Sequence, residues 1–331
     1  MKRENLIFII NLLIVATLCA CAILIPYASL IFTLASVGFF AVFTYKNTAG
    51  KSFAALAVAL AVTFTIYFLF GITVDTICGA ASSFCLIALS GGAIGLMMRN
   101  KCSYRTVLSG GAFVFLLPFL IEFARLRIYY GVDLIQVMIA EPLDAMFAAI
   151  ASIPKQDLID AGAESALLLF AELENMKWPL IQQMASIFPA FLIIICSLCA
   201  FLTFLFCRKF VFCRYRTVMH EYPHFRELQL PRSTSWLLTI LYVATMFMGA
   251  SPLSGAIKNI VIIICALYAI CAVSVIDFLF AKIRVHWSLR ALTYLIAFPI
   301  ILMIDPTIPV IAGIIDSMFD FRRLRRRRTE I

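Results

Sequence analysis

The sequence predicts an all-α fold: a polytopic transmembrane helical bundle of about nine spans, with a short C-terminal helix that is re-entrant or tilted. Composition, long charge-free runs and the placement of basic residues each lead there. Of 331 residues, 63% are hydrophobic and 14% charged, whereas a soluble domain carries about 45–50% apolar and about 25% charged residues. In hydrocarbon every backbone polar group must be bonded internally, so a crossing segment is a helix of about 20 mainly apolar residues. Lys2 and Arg3 ahead of an apolar run, with Ala20-Cys21-Ala22 behind it, also have the form of a cleavable signal. Apolar runs continue to the far end of the chain, so most of it stays in the membrane either way.

The spans follow in order. Asn5 to Tyr45 carries no charge and is divided by Pro26 into two spans with a tight turn near Ile25 to Ala28. Ser52 to Val74 is the third, Thr76 to Met98 the fourth, and Thr106 to Ala124, bent at Pro118, the fifth. Later spans are placed at Ala185 to Phe206, Thr234 to Ser251, Asn259 to Ala281 and Ala291 to Ile304, then a short arm from Pro309 to Phe321. That arm is about 18 Å of helix, too short for a hydrocarbon core of about 30 Å unless tilted or re-entrant.

Loop charges set the direction, because Lys and Arg collect on the cytoplasmic side. Lys46 and Lys51 follow two spans, and Arg99, Lys101 and Arg105 follow four. Arg208, Lys209, Arg214 and Arg216 follow six, and Lys282, Arg284 and Arg290 follow eight. Both termini are therefore expected inside a bacterial cell membrane, the tail Arg322, Arg323, Arg325 to Arg328 included. The net charge of +9 reads as topology and attraction to the anionic lipid bilayer, and no nucleic acid is expected as a partner.

Residues 125–183 form the long outer piece, with eight acidic and four basic residues. Apolar spacing at Leu134, Met138 and Ile139, at Leu158 and Ile159, and at Leu167 to Leu173 predicts two or three amphipathic helices broken at Pro142, Pro154 and Pro179.

Candidate chemistry is sparse, and the chain is expected not to be an enzyme: no catalytic residue, metal site or cofactor is assigned. Leu89-Ser90-Gly91-Gly92 and Leu108-Ser109-Gly110-Gly111 begin like an ABC ATPase signature, but the sequence has no P-loop. Gly91 with Gly95 instead makes a GxxxG face for close helix packing. Cys207, Cys213, His220 and His224 share a loop but lack zinc-ligand spacing. Most of the eleven cysteines lie in apolar runs and read as packing residues, Cys196 and Cys199 among them. Pro252-Leu253-Ser254-Gly255 lacks the first glycine of an intramembrane protease motif, and the three histidines fall on the opposite side from Ser254 by the charge argument. Ionisable residues at membrane depth are functional suspects, hence Glu122 and Asp277. Glu122 is a substrate-binding candidate that can also pair with Arg125, and Asp277 can pair with Lys282. Asp316 and Asp320 sit four apart beside Arg322 and Arg323, where local charge pairing is expected.

Several fragments together resemble the YybS-like family of predicted bacterial membrane proteins. They are Phe188-Pro189-Ala190, Tyr222-Pro223-His224-Phe225, Leu230-Pro231, Asn259, and Gly313 with Asp316, Asp320, Phe321 and Arg322. Leu228 stands where that pattern has Trp, and Cys271-Ala272 where it has Gln-Gly. The family is distantly similar to the substrate-binding S components of energy-coupling-factor transporters. That resemblance implies a six-span S-component-like bundle over residues 1–206, the outer insertion included, and a C-terminal membrane extension over 207–331. It also implies substrate binding, with Arg125 and Asn259 joining Glu122 as candidates, and a docking face at Ala16 and Ala20 for a transmembrane coupling subunit served by ATPases in another chain. The expectation is a transport-related binding subunit for an unidentified small-molecule substrate, taken from the outer side and without its own energy source. The alternative is a membrane scaffold or regulatory protein that recruits a cytoplasmic partner.

Overall fold

A computed structural model describes residues 3–24, 29–69, 79, 81–83, 85–131, 136–151, 164–215, 222, 224–249 and 251–322. The predicted turn at Pro26, the motif residue Pro223, His220, Pro154 and the arginines beyond Arg322 lie outside them. The described elements are all helical, as the composition demands. They are α1 (Arg3–Leu24), α2 (Ser29–Lys46), α3 (Ala49–Leu69), α4 (Ser90–Arg99), α5 (Tyr104–Arg125), α6 (Glu141–Ala151) and α7 (Glu164–Tyr215). They continue with α8 (Arg232–Phe247), α9 (Pro252–Lys282), α10 (Trp287–Leu292), α11 (Phe298–Ile304) and α12 (Thr307–Phe319).

Among these residues four helices are long and apolar enough to cross a membrane: Ala81–Arg99, Tyr104–Tyr129, Lys177–Cys213 and Leu253–Lys282. The bent pair α11 and α12 makes a fifth if counted as one span. This corrects the expected nine. Ile31–Lys46 and Gly50–Ile66 count among the described residues as shorter apolar helices, and α8 has 16 residues, about 24 Å against a core of about 30 Å. The C-terminal arm has the predicted irregular form, because α11 and α12 meet at 109° across Asp305 and Pro306.

The outer segment also differs from expectation. A π-helical turn, Gln136–Ala140, runs directly into α6 at Glu141, so Pro142 lies inside one helical stretch and does not break it, contrary to the expected interruption there. Pro179 does not end a helix, since α7 runs unbroken for 52 residues through both Pro179 and Pro189. Each proline forfeits one backbone bond, but the length of about 78 Å gives the helix many others. Leucine-rich 167–173 is therefore the first part of the helix that continues into the predicted sixth span.

The chain forms two compact units, Met1–Phe188 with Ile195–Glu221, and Pro189–Ile194 with Tyr222–Ile331. The predicted division lies at residue 206. In the first unit α2 packs on α1 and α4, α1 on α3, and α4 on α5. Glycine sets the α2–α4 distance: a Cβ at Gly91 would lie 2.6 Å from the Val37 carbonyl oxygen, and one at Gly95 would collide with the Ala41 carbonyl. The GxxxG face thus lets two backbones touch. Phe206 and Phe210 of α7 meet Phe39 edge-on, both at 5.1 Å, and Tyr104 meets Phe204 at 5.3 Å. In the second unit α9 packs on α8 and α12, around Leu238, Ile264 and Tyr268. A Cβ at Gly313 of α12 would strike the Tyr268 backbone carbonyl, so only glycine permits that crossing.

Candidate functional site

The residues proposed for substrate binding have partners of their own. Arg125 Nε donates to both Glu122 carboxylate oxygens, at 3.0 and 3.1 Å, within the last turn of α5. The two sites are i and i+3 on one helix face, and pairing is what burial of an ion demands. Asn259 spans two helices: its Nδ2 donates to Gly255 O at 3.0 Å, and its Oδ1 accepts from Ala190 N at 3.2 Å. Asn259 therefore ties α9 to the Pro189 stretch of α7. Asp277 pairs with Arg290 at 3.6 Å and accepts from the Tyr294 hydroxyl at 2.8 Å, in place of the predicted Lys282. Arg290 lies closer because its guanidinium is already anchored by Val285 O and Phe280 O. Ala16 and Ala20 are half-buried in α1, and its exposed stripe is Ile10, Leu13 and Thr17. Ser254 is buried with an unpartnered hydroxyl. His224 is exposed, and His286 accepts from Ser288 N to cap α10.

Two features carry more than pairing. The first is a cavity of about 350 Å³ in the first unit, within the range of small-molecule sites of about 300–1,000 Å³. Phe40 and Thr44 of α2, Ser52 and Leu56 of α3, and Val114 and Leu117 of α5 form three of its walls. The fourth comes from Ala88 and Leu89 and from Gly92, Ala93 and Leu96 of α4. Gly91 and Gly95 hold α4 against α2, while Gly92, one residue off that seam, faces the void. Leu89 and Leu96 are 41% and 44% exposed while lining it, so the cavity opens sideways past them. Thr44 is 2% exposed and its hydroxyl has no partner. No residue of this lining was singled out by sequence reasoning as a binding residue. The GxxxG seam was the one available signal, since close packing of two helices beside small residues leaves space next to it.

The second feature is a buried polar network in the second unit. Arg322 and Asp316 are 3% and 2% exposed. Arg322 Nε donates to Asp316 at 3.1 Å, and Nη2 donates to Asp316 Oδ2 and to Leu228 O, both at 2.6 Å. Nη1 donates to Arg226 O at 2.7 Å and to Ser274 Oγ at 2.8 Å. All five guanidinium N–H groups are used, the full capacity of the side chain. Ser274 in turn donates to Phe225 O at 2.6 Å, Ser317 to Leu230 O at 2.6 Å, and Gln229 to Asp316 O at 2.9 Å and Asp320 Oδ1 at 3.2 Å. The loop ahead of α8 forms only one short turn, Phe225–Glu227, so its buried carbonyls need outside donors. Arg322, Ser274 and Ser317 are those donors.

Asp320 makes the geometry possible. It ends α12 in the left-handed region at φ 50°, ψ 48°, which aspartate tolerates better than most residues. The reversal carries Arg322 back along α12 to Asp316, six positions earlier. Arg322 makes the local charge pair with Asp316 that the sequence led one to expect, but it does so buried and not as part of a lipid-facing basic tail, while Phe321 beside it is 68% exposed. Of the fragments that carry the family resemblance, Phe225, Leu230, Asp316, Asp320 and Arg322 meet in this one network, Gly313 packs α12 beneath it, and Pro189-Ala190 meets Asn259.

The family described as Predicted membrane protein (DUF2232) matches residues 13–317. The chain belongs to that family. No curated protein and no solved structure matches it. The match spans residues of both units and ends at Ser317, ahead of Asp320 and Arg322, and the all-helical architecture fits a membrane protein.

Proposed function

We propose that the protein is a membrane-embedded, transport-related binding subunit, in which the first unit holds a small molecule and another chain supplies energy. The observation that carries this reading is the α2–α3–α4–α5 cavity: 350 Å³ of apolar space that close packing leaves unfilled. It is an open apolar recess walled by four helices, the kind of concave surface on which a small apolar group buries the most area. The cavity adjoins the basic loops at Lys46, Lys51 and Arg99, so loading occurs from the leaflet those loops face. On the positive-inside rule that is the cytoplasmic one, in place of the outer-side uptake expected from the sequence. The parallel with S components enters at the same level: a substrate-holding bundle that docks on a coupling subunit. Such docking uses α1, and Ala16→Leu with Ala20→Leu would weaken co-purification of that partner; an unchanged yield removes the docking face.

The test is extraction. Full-length protein purified in mild detergent and then denatured releases a stoichiometric small molecule, detected by mass spectrometry, which Ala93→Leu protein lacks. Repeated preparations that release nothing would overturn the reading.

A second reading is supported by the polar network. It holds the Phe225–Leu230 loop rigid while His224, Arg226 and Pro231 stay exposed, a form suited to presenting a fixed surface to a cytoplasmic partner. A scaffold of this kind predicts that Arg226→Glu abolishes co-purification of a soluble protein and leaves the extracted small molecule unchanged.

A further inference from the structure

We infer that the cavity of the first unit takes the acyl chain of an anionic membrane lipid, whose phosphate headgroup rests on the two basic loops at its mouth. This rests on the binding reading above and names the ligand class. Three observations converge on it. The lining is apolar apart from Thr44 and Ser52, both close in sequence to the loops: Thr44 precedes Lys46 by two residues and Ser52 follows Lys51. At the far end, Leu117 lies 14 residues into α5 from Ser103, about 21 Å deep, so the space runs along the bundle as an acyl chain does. The opening past Leu89 and Leu96 faces sideways, the direction from which a lipid enters.

Charge selects the headgroup. Lys46 to Lys51 and Arg99 to Arg105 contain five basic residues and no acidic one. Arg99 Nη1 donates to Asn47 O at 2.6 Å, which binds the two loops into one basic end. Lys46, Lys51, Lys101 and Arg105 are all exposed there. A phosphate oxygen is the group such an array attracts, and a polybasic surface beside hydrocarbon draws anionic lipid. A neutral apolar molecule would gain nothing from it.

Native mass spectrometry of the detergent-solubilised full-length protein provides the test, with palmitoyl-oleoyl phosphatidylglycerol and the matching phosphatidylcholine as probes. The expected result is one retained phosphatidylglycerol at a concentration at least about tenfold below that needed for phosphatidylcholine. Ala93→Leu and Val114→Phe, on different helices, should each abolish that single retained lipid while the melting temperature stays high. Lys51→Gln with Arg105→Gln should remove the preference for phosphatidylglycerol, whereas Arg232→Gln with Arg284→Gln in the second unit should not. Equal retention of both lipids, lost in the cavity variants, overturns the headgroup inference and leaves the binding reading standing. A phosphatidylglycerol preference that survives both cavity variants overturns the acyl-chain placement, since the lipid is then held on the surface alone. Retention of neither lipid, with no molecule extracted from the native protein, defeats both.

Discussion

The two units use buried polarity differently. In the second, Arg322 uses every N–H it has, Ser274 and Ser317 each hold a loop carbonyl, and Ser235 bonds the Tyr268 hydroxyl at 2.7 Å. In the first, Thr44, Ser90 and Thr203 are buried with hydroxyls that have no partner. Ser254 of the second unit is left the same way, while Ser36 and Thr63 of the first donate to carbonyls of their own helices at 2.7 and 2.8 Å. An unmade hydrogen bond in a dry interior costs about 1–3 kcal/mol, so three of them around a glycine-packed bundle lower the stability of the first unit. The difference separates a unit built to stay in one shape from a unit built around space.

The largest expected effect comes from breaking the polar lock. Arg322→Ala leaves Asp316 buried without its counter-ion, which costs about 3–5 kcal/mol. Thermal unfolding in detergent should show the second unit melting first and the Phe225–Leu230 loop becoming open to proteolysis. Replacing both partners, Asp316→Leu with Arg322→Met, should recover part of the loss. Recovery stays incomplete because the carbonyls of Arg226 and Leu228 still lose their donor. If Arg322→Ala melts like the native protein, the network is not what holds the unit.

Next come the glycine crossings, one in each unit. Gly313→Ala pushes α12 off the Tyr268 backbone, and Gly95→Ala pushes α4 off Ala41; overpacking of this kind costs about 1–3 kcal/mol. The comparison sharpens because the surroundings differ. Around Gly313 the helix is also fixed by Arg322 and Ser317, so it cannot shift cheaply. α4 has the cavity on its other side and can move into it. Gly313→Ala should therefore lower the melting temperature more than Gly95→Ala, and the reverse order would mean that the cavity gives no slack.

Several parts of this fold were legible in the chain, for reasons that are local. Hydrocarbon forces long apolar runs, so the helices at Asn259–Ala281 and Thr106–Ala124 declare themselves, as does the irregular arm after Pro309. The GxxxG seam was equally plain, because nothing larger than glycine lets backbones meet. What was hidden depends on long-range placement. Arg322 reads as the first residue of a basic tail, and only the left-handed turn at Asp320 buries it; aspartate at a helix end was the one available hint. Asp277 was matched to Lys282 by proximity along the chain, yet Arg290 wins because the turn at residues 283–286 brings α10 back beside α9. Pro179 reads as a break, and the continuation of α7 through it is visible only when the whole helix is. The cavity has no signature, since it is defined by side chains that four helices fail to supply.

The smallest effect is the one that tests the contrast itself. Thr44→Val keeps the shape of the side chain and deletes a hydroxyl that bonds nothing, so the empty protein should gain up to about 1 kcal/mol. Ser235→Ala in the second unit deletes a hydroxyl that bonds Tyr268 and should lose about 1 kcal/mol by the same principle. Opposite signs in two matched melting experiments are what the structure requires. Should Thr44→Val destabilise the protein as it comes from the membrane yet stabilise it after delipidation, the hydroxyl has a partner that leaves with the lipid. That outcome would place the bound molecule's polar end at Thr44, which lines the cavity with Leu56 and Leu96 and lies two residues before Lys46.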